Sequence, residues 1–92
     1  MNLQARLILL RALGEKKEWV KFNKFIKACY NSFSRTNALS KSNKQSALNT
    51  LRYAEKLSNP NTDVTKFILE VEQLRLIFCK SWLLKQIKTR RI

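Results

Sequence analysis

Histidine is the commonest general base and metal ligand, and this chain has none among its 92 residues. Its two cysteines, Cys29 and Cys79, cannot complete a structural zinc site without histidine partners. Ser-His-Asp and Cys-His arrangements are excluded for the same reason. A single glycine, Gly14, rules out both glycine-rich phosphate loops, G-x-x-x-x-G-K-[ST] and G-x-G-x-x-G. Six acids remain. Asp63 and Glu70 share a helix face, but Glu70 and Glu72 diverge, and solvated, lysine-paired acids explain them better than a magnesium site. The expectation is a protein that is not an enzyme, with no catalytic residue, metal, cofactor or small-molecule substrate.

What the chain does have is positive charge. Nineteen Lys and Arg against six Asp and Glu give +13. The excess is spread evenly: +5 over residues 1–31, +4 over 32–61 and +4 over 62–92. This is a basic body, not a neutral domain with a basic tail. Self-repulsion on that scale opposes compaction and points to a polyanionic partner, although AT-rich coding also enriches Lys and Asn.

Three basic groups stand out. Lys16, Lys17, Lys21, Lys24 and Lys27 line one side of a helical pattern, together with Asn31, and suit phosphates along a nucleic-acid backbone. Gln45, Asn49, Arg52 and Lys56 recur at i, i+4, i+7 and i+11, with Lys44 and Ser42 near the helix start. Those side-chain types reach base edges, and the neighbouring Tyr53 suits stacking on an unpaired base. The third group is C-terminal: Lys80, Lys85, Lys88, Arg90 and Arg91. Lysines and arginines there also complement a helix dipole, and all three groups also read as ordinary solvated faces.

The elements that must position these groups are helical. One Gly and one Pro leave little chemistry for hairpins, so the expected fold is all-α: a compact bundle of about four helices near 3–13, 15–33, 43–57 and 62–88, in one domain over 1–92. The first helix is leucine-rich on nearly all sides, which predicts deep burial, and Gly14 stands where a helix stop favours a left-handed residue. Trp19, Phe22, Phe25, Ile26, Cys29, Tyr30 and Phe33 form the apolar stripe of the second, with Glu15 and Glu18 in its first turn. Residues 34–42 read as a flexible polar loop. Ser42 to Gln45 fits a capping box for the third helix, and Asn59 or Thr62 for the cap of the fourth. The loop is longer and more polar than the ~3–4-residue turn of a helix-turn-helix.

The last helix carries two apolar stripes. Val64, Phe67, Ile68, Val71, Leu74, Phe78 and Trp82 form the main one, flanked by Lys66–Glu70 and Glu72–Arg75 pairs. Leu69, Leu76, Ile77, Leu83, Leu84 and Ile87 form the second, and Ile77 and Leu84 point almost opposite the first. Covering both requires a central helix or a partner, such as a homodimer through this helix.

No apolar run approaches the ~20 residues of a membrane span. The N-terminus slightly resembles an organellar transit peptide but lacks its serines, and is read as part of the fold. Both cysteines lie among apolar residues, as buried thiols in a reducing cytoplasm do, although sequence leaves a bridge open. The leading expectation is a small basic protein that binds DNA or RNA through its Lys and Arg faces. The alternative is a protein-interaction module, such as a small regulator, inhibitor or assembly subunit, docking an acidic partner. An anionic membrane surface ranks third, because exposing the aromatic stripe would dismantle the core.

Overall fold

The structure, a computed structural model, describes residues 3–36 and 39–89. These form five helices and, among the described residues, no strand: α1 (Leu3–Glu15), α2 (Trp19–Arg35), α3 (Lys41–Ser58), α4 (Val64–Gln73) and α5 (Lys80–Thr89). The expected last helix is therefore two helices, and the count is five rather than about four. The radius of gyration is 12.6 Å, against ~12 Å for a globular chain of this length. Self-repulsion has not expanded the body.

α3 is the hub. It buries Ser46, Ala47, Asn49, Thr50, Leu51, Tyr53, Ala54 and Leu57, more than any other helix. α2 packs on it through Phe22, Ile26, Cys29 and Phe33, the expected stripe. α1 lies outside α2. Only Leu10 and Gly14 of α1 are buried, and Ile8 is 54% exposed, so the deep burial expected of this helix does not occur.

The break between α4 and α5 has a geometric cause. α4 buries Phe67 and Val71, and α5 buries Leu83 and Ile87. On one straight helix at about 100° per residue these pairs would face about 160° apart. They cannot both enter one core, with α4 packed on α5 and α5 on α3, unless the chain turns between them. It turns over residues 74–79, which contain no Gly or Pro. Two buried polar side chains of α3 hold the turn. Asn49 Nδ2 donates to Leu76 O at 2.9 Å. Thr50 Oγ1 accepts from Phe78 N at 2.8 Å and lies 3.3 Å from Phe78 O. These bonds replace helical ones that the turn forfeits. Cys79 then enters the left-handed region at φ 57 before α5 begins.

The break also revises the partner seam. Ile77 and Leu84 are half-buried against the core, not the outward pair that a continuous helix implies. Leu74, Phe78 and Trp82 pack at the core's margin, while Leu83 and Ile87 of the second stripe are fully buried.

Helix ends differ from expectation in consistent ways. α1 runs through Gly14 and stops at Lys17, whose φ of 56 is left-handed. Glu18 N donates to Leu13 O and Lys17 N to Gly14 O, the paired bonds of a Schellman stop. Gly14 serves packing instead: a Cβ there would lie 2.7 Å from the Trp82 ring and 3.2 Å from Phe22. α2 therefore begins at Trp19, with Glu18 at its cap and Glu15 in α1. Ser40, not Ser42, caps α3 by accepting from Asn43 N at 3.2 Å. Asp63 caps α4 by accepting from Lys66 N, while Asn59 Oδ1 accepts from Asn61 N in the preceding turn. α2 extends to Arg35 and α3 starts at Lys41, which shortens the expected 34–42 loop; Asn37 and Ala38 lie outside the described residues.

Glycine is thus needed at 14 for space, while 17 has a lysine in glycine's conformation. Lys17→Gly is expected to raise stability by about 1 kcal/mol. Gly14→Ala is expected to lower it by about 1–2 kcal/mol, because overpacking outweighs the gain in helix propensity. Thermal melts of the two variants check the opposite signs.

Candidate nucleic-acid interface

α2 sorts its residues cleanly. With Phe22, Ile26, Cys29 and Phe33 turned inward, Lys21, Lys24, Lys27 and Asn31 fall on the outer face, and all four are exposed. Arg35 is exposed and continues the same line. A helix ending at Phe33 places Arg35 in a loop, whereas the i, i+4 step from Asn31 to Arg35 fits a continued helix. From Lys21 to Arg35 the line runs about 21 Å along the axis. Lys16 and Lys17, also exposed, stand at its head in the α1–α2 link.

One side of α5, carrying Gln86 and Thr89, borders that head. Lys17 and Trp19 share a crevice of about 30 Å³ with Leu57, Gln86 and Thr89. Trp82 Nε1 donates to Glu15 Oε1 at 3.2 Å, tying α5 to the same link. Lys85 and Lys88 are exposed on α5 and border a shallow depression with Ser81, Leu84 and Thr89. Arg90 and Arg91 lie outside the described residues. Lys80 is half-buried and its Nζ donates to Glu72 O, so it closes the end of α4.

α3 does not offer the edge that its spacing suggested. Asn49 is only 9% exposed, donates to Leu76 O, and accepts from Gln45 Nε2 at 3.0 Å. Tyr53 is buried, packs edge-on against Phe67 at 5.4 Å, and donates to Glu70 Oε2 at 3.0 Å. It is closed to base stacking. Lys56 lies 4.8 Å from the Tyr53 ring centre and 3.8 Å from Glu70. Both ion-pair partners are partly solvated, so that contact adds little stability. Lys44 Nζ donates to Ser34 O at 3.0 Å, near the end of α2, where cations are favoured. Of the expected set, Gln45 and Arg52 stay exposed, and Arg52 faces a groove shared with Asn23, Glu55 and Asn59.

The cleft between α3 and α4, about 260 Å³, is lined by Lys56 and Lys66 but also by Asp63 and Glu70. Its charges balance, so it has no preference for anions. Among the described residues no group of three Cys, Asp or Glu side chains could hold a metal ion. No helix there is long and apolar enough to cross a membrane.

Both cysteines are free, Cys29 buried and Cys79 half-buried. Burial pushes both thiols above their ordinary range; Arg6, which donates to Cys29 Sγ at 3.7 Å, and Arg11 near Cys79 partly oppose this. Burial raises Tyr53 as well, aided by Glu70, and Tyr30, aided by the charge of Glu55.

Compared with models of known families, with curated proteins and with solved structures, the chain matches none.

Two outcomes follow for this surface. Asn49→Ala is expected to cost about 1–3 kcal/mol of stability by orphaning Leu76 O, and to leave polyanion affinity of the folded protein unchanged. Denaturant melts and a binding titration on the same sample separate these effects. The raised thiols favour the fold while they stay protonated. That stability is fully present below the unfolded thiol pKa of ~8.5 and declines as pH rises through the higher folded values. Melting temperature is therefore expected to fall as pH rises above about 8.5.

Proposed function

We propose that the protein binds nucleic acid without catalysis, gripping phosphates on the outer face of α2 and on α5. One observation carries this reading. Lys21, Lys24, Lys27 and Arg35 form an exposed line headed by Lys16 and Lys17, and Lys85 and Lys88 are exposed on α5, whose Gln86 and Thr89 border the crevice at that head. Charges three residues apart from Lys21 to Lys27, roughly 5 Å of axis each, with Asn31 and Arg35 continuing the line, suit a polyanion's backbone. Phosphate contact of this kind supplies affinity with little sequence choice. The burial of Asn49 and Tyr53 supports that emphasis, since it leaves mostly point charges at the surface. Pairing of two copies through the C-terminal segment doubles the charged surface.

A second reading, an acidic protein partner on the same line, draws on Val20. It is 72% exposed in the middle of the lysine face, where a phosphate backbone gives an apolar side chain nothing to meet.

Titration of duplex DNA and single-stranded RNA tests the first reading. About five phosphate contacts imply an affinity loss of roughly 10²–10³-fold between 50 and 200 mM salt. Lys21→Glu with Lys24→Glu is expected to weaken binding and flatten the salt slope by about 2 while the helical signal and melting temperature hold. Affinity insensitive to salt sinks the proposal. Failure to bind either nucleic acid, with capture of an acidic protein that Val20→Ser weakens, moves the assignment to the second reading.

A further inference from the structure

We propose that two copies of this chain exchange α5, with residues 74–79 as the hinge. In the exchanged form the hinge becomes helical, α4 and α5 join into one straight helix, and Leu83 and Ile87 fill the α3 groove of the other copy. This deepens the pairing proposed above and does not depend on nucleic-acid binding.

Four observations converge. The hinge lacks Gly and Pro, and its apolar spacing is helical, so its local preference is to continue α4. Cys79 sits left-handed at φ 57, a conformation costly for any residue with a Cβ, and a straight helix removes that strain. The bent form is held by Asn49 and Thr50 of α3 bonding Leu76 O and Phe78 N. In a straight helix those backbone groups find ordinary i, i+4 partners, Thr50 Oγ1 keeps Ser46 O at 2.7 Å, and Asn49 Oδ1 keeps Gln45 Nε2 while its Nδ2 gives up Leu76 O. The fourth observation is directional. Straightening turns the buried face of α5 about 160° away from that of α4. While Phe67 and Val71 stay on their own core, Leu83 and Ile87 must face another.

Two exposed leucines fit the same arrangement. Leu69 is 55% and Leu76 43% exposed. On a straight helix they fall within about 40° of Leu83 and Ile87, on the side turned to the second copy. The exchange rebuilds the α3–α5 packing of the monomer between chains, which makes it a low-cost route to a dimer. Each chain carries +13, so the dimer gains from salt, whereas phosphate binding weakens with salt. The two proposals therefore fail separately.

Position 79 supplies the test. Cys79→Gly relieves the bend and weakens the straight helix; Cys79→Ala keeps the strain and strengthens the helix. Light scattering over a concentration series is expected to show dimerisation weakened about tenfold or more by Cys79→Gly, since the strain acts at two hinges per dimer. It is expected to be strengthened by Cys79→Ala and by Thr50→Val, and to rise with salt. For Cys79→Ala, equal amounts of ¹⁴N and ¹⁵N chain are refolded together, and the dimer is cross-linked through lysines. Links joining α3 to α5 are expected between light and heavy chains. Links confined to single chains, the same direction of change for both Cys79 variants, or monomers throughout in Cys79→Ala and Thr50→Val overturn the exchange.

Discussion

The fold depends on one geometric conflict. Residues 64–89 carry two buried faces about 160° apart on a straight helix, and one core must receive both, with α4 packed on α5 and α5 on α3. The chain resolves this by giving up helical hydrogen bonds over residues 74–79. Burying that irregular backbone would be costly if its polar groups stayed unpaired. Asn49 and Thr50 pair them, which is why the hub helix holds polar residues in its most buried stretch.

That solution determines which surfaces remain open. α3 is enclosed by α2 on one side and by α4 and α5 on the other, so most of its polar side chains serve the interior or the helix ends. α2 packs against both α3 and α1 and leaves one face open. That face carries Lys21, Lys24, Lys27 and Arg35, and +13 can be tolerated because most of those charges project into solvent, where water and salt screen them. The basic surface is therefore concentrated on α2 and the end of α5, and the most buried helix contributes Lys41 and Arg52.

The α2 stripe was fully legible in sequence. Phe22, Ile26, Cys29 and Phe33 recur at one period over the whole helix, and no local alternative competes. Its lysines followed by subtraction. Two apolar stripes were legible in the C-terminal segment as well, and so was the difficulty of covering both. The remedy was not, because nothing between Leu74 and Cys79 marks a turn: the residues that hold it, Asn49 and Thr50, lie 27 and 28 positions away from their partners. Asn49 and Tyr53 looked like surface chemistry for the same reason. Their spacing matches a polar edge, and only packing shows that the edge faces inward. Gly14 was misread as a stop because glycine allows both a left-handed turn and a close approach, and sequence does not distinguish the two uses.

By itself the sequence determined what acts locally: helical class, the amphipathic lysine face of α2, the absence of histidine chemistry and the uniformly basic charge. Periodicity and composition are properties of neighbours along the chain, and short-range physics suffices to read them. Tertiary structure alone decided where the last helix breaks, which polar side chains turn inward, and which lysines share a surface. Those outcomes rest on contacts between distant residues, where burying an apolar face on α3 outweighs the local preference of residues 74–79 to remain helical.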